Sequence, residues 1–475
     1  MAHRLSRRLA TGLTAMAALI GGCADDPPQA PPARVNVVWI TIDALRADHL
    51  GSYGYERDTS PYLDELAQRS VRFANAVSQE SYTQASVPSY FTSTYPRQHR
   101  VLYDEPEIDV LDEDWITVAE VLSEEGYATA AFVFNPHLKR KYGFGQGFDV
   151  YDDNRGGWPE SGPEHERMET ARKMETRVRR YLEDEPRRPV FLYLHYRDVH
   201  SPYAPPPPHH ATFLPPGVEP EVDILSRRDL GKRRDNDIFV SQYDGEIRYT
   251  DDMLRRLVSL LSTWGLSFEN TLFVVTADHG EEFFEPHPGD RGGSSHGRTL
   301  FREQVHVPLL LTLPGETSGS VVEAHVELTD VVPTILDVVG VDGERFSQFQ
   351  GRSLIPLIRG EAEPRRVVYA GGNHGRGMVI AGGWKYIRST KHVRADLGAV
   401  GRRPSGDPEH GEELFYLPDD PREQRNLVAE RSEVADRMRD LLREREATLR
   451  PGSRSAPVEL DDETRRRLKA LGYLR

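Results

Sequence analysis

Hydrophobic and polar positions follow two different patterns along the chain. The first is a short, almost uninterrupted apolar run rich in β-branched residues, and VNVVWITI at 35–42 is the clearest example. Such runs predict strands that are buried on both faces of a parallel sheet. Four further runs of this type lie at 128–134, 190–194, 272–276 and 307–313. The second pattern places apolar residues at helical spacing, as in 247–261, and predicts amphipathic helices.

Strand and helix patterns alternate over most of the chain, and this order predicts an α/β fold with a doubly wound sheet. The pattern changes after residue 360, where short β-like stretches at 367–370 and 378–387 precede a charged helix over 430–448. We therefore expect a main domain over 35–360 and a small C-terminal α+β subdomain over 361–475.

The first 34 residues predict an export signal followed by a tether. Three arginines precede a largely apolar run over 9–20, which is too short to span a bilayer comfortably. The ending Ile-Gly-Gly-Cys resembles a bacterial lipobox, which implies a signal peptide over 1–22 and acylation of Cys23. Residues 23–34 contain four prolines and predict an extended tether. We expect an exported lipoprotein on the periplasmic side of the membrane, and Ala24 favours the outer membrane.

Charge and cysteine content remove several classes of function. The formal net charge of −15 would repel a phosphate backbone, so we expect no nucleic-acid partner. Cys23 is the only cysteine, which leaves no thiol in the folded domain for disulfides, zinc ligation or nucleophilic catalysis. The only membrane contact that we expect is the lipid anchor at the amino terminus. The sequence leaves the oligomeric state open.

Acidic and imidazole side chains follow two of the predicted strands. Asp43 comes directly after the run at 35–42, and Asp278-His279-Gly280 follows the run at 272–276. The carboxyl ends of parallel strands meet at one edge of a sheet, where sites commonly form. Two carboxylates and an imidazole at one edge predict a site for a divalent cation.

Six blocks of sequence, in order, resemble the sulfatase family of the alkaline phosphatase superfamily. The first begins VNVVWITIDALRADHLGSYGYERDTSPYLDEL at residue 35, and the second, YDGEIRYTDDML to TADHGEEFF, covers 243–284. The others are HGRTLFREQVHVPLLL, ELTDVVPTILDVVGV, GRSLIPLIRG and LFYLPDDPREQRNL. The resemblance implies a mixed sheet sandwiched by helices with a small C-terminal sheet, and it makes 35–360 a sulfatase-like catalytic domain.

The resemblance also implies a nucleophile that begins a helix beside the metal. In the family it lies in a Cys-x-Pro-x-Arg or Ser-x-Pro-x-Arg motif, or it is a threonine in branches with a Thr-x-Pro-Ser pattern. Two registers fit SYTQASVPSYFTSTYP at 81–96. Aligning TSTYP with the family's Thr-Gly-Leu-Tyr-Pro puts Thr83 at the position, without a gap and 40 residues after Asp43. Matching SVPSY directly puts Ser86 there instead. We favour Thr83, because its register needs no gap and has the separation from Asp43 that the family implies. A metal and a helix amino terminus would stabilise the alkoxide of a hydroxyl at this position.

Three departures separate this chain from arylsulfatases. The site has no cysteine, Val87 stands at the arginine position four residues after Thr83, and Ala44 replaces the second aspartate of an Asp-Asp pair. We therefore expect no formylglycine. The remaining set resembles the one-metal site of phosphoglycerol and phosphoethanolamine transferases and half of a two-zinc phosphodiesterase site. It implies one divalent ion, Ca²⁺, Mn²⁺ or Zn²⁺, on Asp43, Thr83, Asp278 and His279.

Four further residues fit substrate roles by the same resemblance. His200, in HYRDVHSPY, resembles the family histidine that contacts the ester or leaving group, and we assign it a catalytic role. His296, in SSHGRTLF, stands where many sulfatases have a lysine that touches the anion, while Asn135 and His137 occupy the neighbourhood of a lysine and histidine pair. A protonated imidazole can neutralise an ester oxygen or protonate a leaving group.

Together these features predict a metal-dependent hydrolase that cleaves a sulfate or phosphate ester of a small molecule, glycan or lipid, with Thr83 as the nucleophile. One alternative is a phosphotransferase, phosphodiesterase or phosphonate hydrolase of the same superfamily. Another is a binding lipoprotein that kept the fold and lost turnover, which the missing formylglycine signature suggests.

Overall fold

The structure is a computed structural model that describes residues 34–104, 107–154, 170–186, 188–218, 233–287, 294–365, 367–372, 375–390, 410–459 and 465. The predicted signal peptide, Cys23 and the tether up to residue 33 lie outside this part of the chain. Among the helices that it describes, none combines the length and the apolar character needed to cross a bilayer.

Strands and helices alternate through most of the chain, as predicted. The strands are β1 (Asn36–Ile42), β2 (Val71–Val77), β3 (Tyr103–Asp104), β4 (Glu107–Ile108), β5 (Ala128–Val133), β6 (Val150–Asp152), β7 (Val190–Tyr196), β8 (Thr271–Thr276), β9 (Glu282–Phe283), β10 (Ser294–Ser295), β11 (His306–Val307), β12 (Leu309–Thr312), β13 (Ser320–Glu327), β14 (Val368–Gly371), β15 (Gly377–Ala381), β16 (Trp384–Thr390), β17 (His410–Tyr416) and β18 (Val458–Glu459). The α-helices are α1 (Pro61–Ala67), α2 (Thr83–Thr92), α3 (Pro96–His99), α4 (Val118–Glu124), α5 (Thr170–Glu183), α6 (Arg233–Thr263), α7 (Arg302–Val305), α8 (Val331–Val338), α9 (Ile355–Ile358) and α10 (Ser432–Thr448).

The main sheet is mixed, with the strand order β11-β2-β12-β8-β1-β7-β5-β6 and β13 paired to β2. Strands β8, β1, β7, β5 and β6 run parallel to one another, whereas β12 is antiparallel to β8 and to β2. The four adjacent strands β8, β1, β7 and β5 therefore end at the same edge. Smaller pairings join β9 to β10, and β18 to β4 and β3.

Both faces of this sheet are covered. Every residue of β1 is buried, and the ring of Trp39 packs on those of Tyr90 and Phe91 in α2, with centroids 5.0 and 5.9 Å apart. Alternate residues of a strand point to opposite faces, so the equally buried Val38 and Ile40 are covered from the other side. The predicted fold class, a mixed sheet sandwiched by helices, is confirmed.

A small antiparallel sheet, β14-β15-β16-β17, forms the predicted C-terminal subdomain, and α10 packs against β15 and β16. The expected β-like stretch at 378–387 is a hairpin, because Gly382 and Gly383 take the positive φ angles, 57° and 79°, that a tight hairpin turn requires. The predicted boundary at residue 360 lies between α9 and β14.

Two other element predictions differ from the structure. The apolar run at 307–313 is divided into β11 and β12 around Pro308, whose nitrogen has no hydrogen to donate to a neighbouring strand. The amphipathic stretch at 247–261 is only the second half of α6, which begins at residue 233.

Candidate active site

The site lies at the carboxyl edge of the four parallel strands β8, β1, β7 and β5. Asp43 directly follows β1, Asp278 and His279 follow β8, and Asn135 follows β5. The predicted convergence of these side chains is observed, since Asn135 Nδ2 donates to Asp43 Oδ2 at 2.7 Å and His279 Nε2 lies 3.5 Å from Asp43 Oδ1. All four residues are fully buried.

Thr83 is the first residue of α2, and its side chain faces this cluster. Thr83 Oγ1 lies 3.1 Å from His279 Nε2 and accepts a hydrogen bond from Asn135 Nδ2 at 3.3 Å. The N-cap residue of the helix is Tyr82, and no side chain caps the helix there. Thr83 is therefore not an N-cap, and its hydroxyl is directed at the acidic and imidazole side chains.

Ser86 has different partners, although it lies on the same helix. Ser86 Oγ donates to the main-chain oxygen of Asp278 at 2.6 Å and lies 2.9 Å from Ser78 Oγ. Ser78 Oγ donates to the same carbonyl at 2.5 Å. The two serines thus hold the backbone of the loop that carries Asp278.

Buried carboxylate oxygens without hydrogen-bond partners mark a place for a cation. Asp278 Oδ1 accepts the backbone N–H groups of Ala44 and His279 at 3.2 and 3.0 Å. Asp278 Oδ2 and Asp43 Oδ1 have no hydrogen-bond partner. His279 Nδ1 donates to Gly280 O at 2.8 Å, so the lone pair of Nε2 faces the same space. Unpaired buried carboxylate oxygens are costly, and a divalent cation between them removes that cost.

Asp43 and Asp278 are both buried in this site, and their pKa values shift in opposite directions. Burial and the nearby charge of Asp278 raise the pKa of Asp43, and the Arg197 guanidinium acts in the opposite direction. Burial also opposes ionisation of Asp278, but the neighbouring imidazoles of His279 and His195 lower its pKa below the usual range. A bound dication would allow both carboxylates to ionise together.

Gly280 is required by the path of this loop. A Cβ at residue 280 would lie 2.0 Å from the backbone oxygen of Glu303, and the Gly280 N–H donates to Gln304 O at 2.9 Å. The glycine after Asp278-His279 therefore allows the loop to pack against the segment at 303–304 and keeps both ligand candidates at the sheet edge.

The predicted substrate residues surround the same cluster. The ring of His296 lies 4.3 Å from that of His279 and 4.8 Å from that of His200, measured between centroids. His137 Nε2 lies 2.9 Å from Tyr82 Oη, and burial lowers the pKa of His137 to about 3, so this imidazole is neutral. The structure thus brings together all the predicted residues except Cys23, which lies outside its described part.

Two further residues at the end of β7 belong to the site and were not predicted. His195 is fully buried, with Nε2 3.7 Å from Asp278 Oδ2. Arg197 is also fully buried, acts on the pKa of both Asp43 and His137, and donates to Ser201 O at 3.2 Å. Their position at the carboxyl end of a predicted strand is the one feature of the sequence that marks them as site residues. The family resemblance pointed instead to His200, a few residues later.

Comparisons with known proteins identify the family to which the fold belongs. The family model described as Sulfatase matches residues 35–341. The ulvan-active sulfatase of Formosa agariphila is 24% identical over 365 residues, covering 67% of this chain and 66% of the relative. The multifunctional alkaline phosphatase superfamily protein PehA of Trinickia caryophylli is 23% identical over 409 residues, covering 68% and 77%. Phosphonate monoester hydrolase of Agrobacterium radiobacter has a similar fold, with a TM-score of 0.67, 18% identity, and coverage of 90% of this chain and 100% of that one.

Proposed function

The chain belongs to the sulfatase family, and from this premise we propose that it is a metal-dependent hydrolase of sulfate or phosphorus esters. The predicted family is confirmed, and the class of enzyme that it implies, a hydrolase of ester bonds, is part of the proposal. The chain spans just under two thirds of the ulvan-active sulfatase, so its own activity and substrate are part of the proposal. The observation that carries it is the pair of buried, unpartnered oxygens Asp43 Oδ1 and Asp278 Oδ2.

The proposed metal ligands are Asp43, Asp278 and His279, with the Thr83 hydroxyl beside them. A bound divalent ion would lower the pKa of that hydroxyl and offset negative charge on the group being transferred. The chain adds two effects of its own at Thr83 Oγ1. Asn135 donates a hydrogen bond to it, and the amino terminus of α2 favours negative charge there.

The proposed reaction has two steps. In the first, Thr83 Oγ1 attacks as the alkoxide, having lost its proton to solvent before the substrate binds; its bond to the phosphorus or sulfur atom forms, and the bond to the leaving oxygen breaks. His200 supplies the proton to the leaving alcohol. Its Nδ1 donates to Ser201 O at 2.5 Å, so the exchangeable proton is on Nε2. In the second step water attacks the same atom, its proton passes to His200, and Thr83 leaves as the alkoxide, which restores the starting state of both residues.

Arg197, His296 and His137 supply the contacts to the remaining oxygens. Arg197 carries a permanent positive charge, which is suited to a sulfate, phosphate or phosphonate oxygen. His137 is neutral and therefore acts as a hydrogen-bonding group rather than as a charge. We propose a small-molecule, glycan or lipid ester as the substrate.

A transferase is the second candidate, because Thr83 would form a simple ester. Such an ester is released only by an external nucleophile, and an alcohol can take the place of water. Adding glycerol or ethanolamine during turnover distinguishes the two, since a transferase would give a new phosphorylated or sulfated product in proportion to the acceptor. Release of free anion that is unaffected by the acceptor supports hydrolysis.

Activity on four aryl substrates tests the proposal directly. These are a sulfate, a phosphate monoester, a phosphate diester and a phosphonate monoester, each with metal-free protein supplemented with Ca²⁺, Mn²⁺ or Zn²⁺. We expect turnover of at least one substrate, dependent on added metal and lost in Asp278→Ala. Metal binding without turnover of any substrate would contradict it and favour the binding protein.

We also propose that the chain is exported and anchored through a lipid on Cys23. The support is the sequence alone: a basic and then apolar amino terminus, the Ile-Gly-Gly-Cys ending and the proline-rich tether. A periplasmic location would give the enzyme access to esters from outside the cell.

A further inference from the structure

We propose that His195 is a ligand of the cation in this site, and that the resulting pair of imidazoles makes the site select Zn²⁺ over Ca²⁺. The proposal uses the metal site of the proposed function but does not depend on which ester is cleaved. It adds a ligand from inside a strand, which is not among the expected ligands Asp43, Thr83, Asp278 and His279.

The distances around His195 fit ligation better than hydrogen bonding. The ligand atoms of Asp43, His195 and Asp278 all lie within 4.8 Å of one another. His195 Nε2 is 3.7 Å from Asp278 Oδ2, which is too long for a hydrogen bond. Two ligands about 2.1 Å from one zinc ion lie roughly 3.0–3.4 Å apart, so a small contraction around an ion would complete the set.

Both ring nitrogens of His195 are buried and have no hydrogen-bond partner. A buried polar group in that state is costly unless something binds it. His99, which is equally buried, shows the usual alternative. Its Nε2 lies 2.9 Å from Ser89 Oγ, and its Nδ1 accepts the Val101 N–H at 3.0 Å. His195 therefore differs from a histidine that only fills the core.

The backbone holds His195 in place for this role. Its Cα pairs with Thr41 of β1 on one side and with Val133 of β5 on the other. Asp43 follows Thr41 by two residues, and Asn135 follows Val133 by two residues. His195 thus lies in the sheet between the strands that carry two other site residues, where its position does not depend on a loop.

A second buried group with metal-ligand chemistry shows a contrasting state. In the group Glu282, His287 and Glu303, His287 Nε2 lies 2.5 Å from Glu303 Oε1, and Gln304 Nε2 donates to Glu282 Oε2 at 2.7 Å. These side chains bind one another and their neighbours. Of the buried atoms in that group, only His287 Nδ1 lacks a hydrogen-bond partner within the described part of the chain, whereas both ring nitrogens of His195 and the facing oxygens Asp43 Oδ1 and Asp278 Oδ2 have none.

His195 would take the place of a carboxylate ligand that the family resemblance implies and that this chain lacks. Ala44 stands where the resemblance implies a second aspartate, and it contributes only its N–H, to Asp278 Oδ1. The set therefore loses an oxygen ligand and gains an imidazole. Oxygen ligands favour Ca²⁺, whereas imidazole nitrogens favour Zn²⁺ and its neighbours in the transition series.

Metal binding by His195→Ala tests the proposal without measuring turnover. Metal-free wild-type protein should bind one Zn²⁺ more tightly than Ca²⁺. The His195→Ala protein should lose at least the roughly 10–100-fold in Zn²⁺ affinity that removing a partner of a ligand costs. Cobalt substitution adds a spectroscopic readout, because the visible absorption of bound Co²⁺ should change when an imidazole leaves its coordination shell. His99→Ala is the matched control, since it removes another buried imidazole and should change neither the affinity nor the spectrum.

Two outcomes would overturn the proposal. One is a His195→Ala protein with wild-type Zn²⁺ affinity and an unchanged Co²⁺ spectrum, and the other is tighter binding of Ca²⁺ than of Zn²⁺ by the wild type. If His195→Ala does not fold, His195→Gln keeps much of the volume and is measured in the same way. A protein that binds Zn²⁺ through His195 but cleaves no ester would contradict the proposed function and leave this inference intact.

Discussion

Two hydroxyls less than one helical turn apart have separate surroundings in this site. Thr83 Oγ1 faces His279 and Asn135, whereas Ser86 Oγ is bonded to the main chain of Asp278. The difference follows from their places on α2, because the first residue of the helix lies at the sheet edge and the fourth lies against the loop after β8. This geometry supports the Thr83 register.

Substitutions at the two positions should have different effects. Thr83→Ala removes the proposed nucleophile and should lower kcat by about three orders of magnitude or more. Ser86→Ala removes a hydrogen bond behind the loop and should cost about 1–2 kcal/mol of unfolding free energy, with kcat within roughly tenfold of wild type. Thr83→Ser keeps the hydroxyl and should keep part of the activity. Steady-state kinetics and denaturant unfolding of the three variants are the measurements. An inactive Ser86→Ala protein together with an active Thr83→Ala protein would contradict this account.

Most of the site residues that follow a strand could be predicted, whereas His195, inside a strand, could not. Asp43 and Asp278 interrupt apolar runs, so their polarity marked the sheet edge in the sequence. His195 lies within the buried strand β7, where a histidine is more often a core residue, and only its unpartnered nitrogens distinguish it. Arg197 was missed because the resemblance pointed to His200, three residues later.

At the scale of elements, most of the site is explained by the fact that the carboxyl ends of neighbouring parallel strands meet at one edge of the sheet. Four parallel strands of apolar and β-branched residues could be predicted from their composition, and their neighbouring order in the sheet places the side chains that follow them at one edge. The order itself was not readable from the pattern, since it depends on which strands pair. Pro308 and the Gly382–Gly383 turn divide two apolar runs that periodicity alone treats as continuous.

A contact between two helices provides a test by pH. Asp251 of α6 accepts the backbone N–H groups of Tyr62 and Leu63 at the start of α1, both at 2.8 Å. Burial nevertheless raises the pKa of Asp251 to about 7. A raised pKa means that the folded protein binds this proton more tightly than the unfolded chain. The stability from this group is therefore present at low pH and is lost as the pH rises from the unfolded pKa, about 4, to about 7.

Asp251→Asn should remove this pH dependence, because the amide does not ionise. The lost carboxylate contacts lower its stability by a similar amount at every pH, so the informative quantity is the difference in unfolding free energy between the two proteins. We expect the advantage of the wild type to shrink by about 2–4 kcal/mol between pH 4 and pH 7. Urea titrations give this difference. If the stability advantage of the wild type stays constant or grows over this range, the two N–H hydrogen bonds outweigh burial in setting the pKa of Asp251.

At the scale of the whole molecule, the proposed lipid anchor predicts where the protein is found in the cell. Cys23→Ser removes the only thiol that could be acylated, so the variant should carry no lipid and should leave the membrane fraction or remain unprocessed. Mass spectrometry of the amino-terminal peptide and membrane fractionation are the measurements. A lipid on the Cys23→Ser protein would contradict the lipoprotein proposal, and an inner-membrane wild type would contradict the outer-membrane assignment.

The central claim is that Thr83 carries the transferred group during turnover, and trapping that species tests it most directly. Wild-type protein loaded with metal, mixed with its best aryl substrate and quenched in acid within one turnover, is digested and analysed by mass spectrometry. We predict that Thr83, otherwise unmodified, gains the mass of one phosphoryl, phosphonyl or sulfuryl group, and that the adduct is absent in Asp278→Ala. An adduct on Ser86, or a formylglycine found at residue 86, would contradict the account.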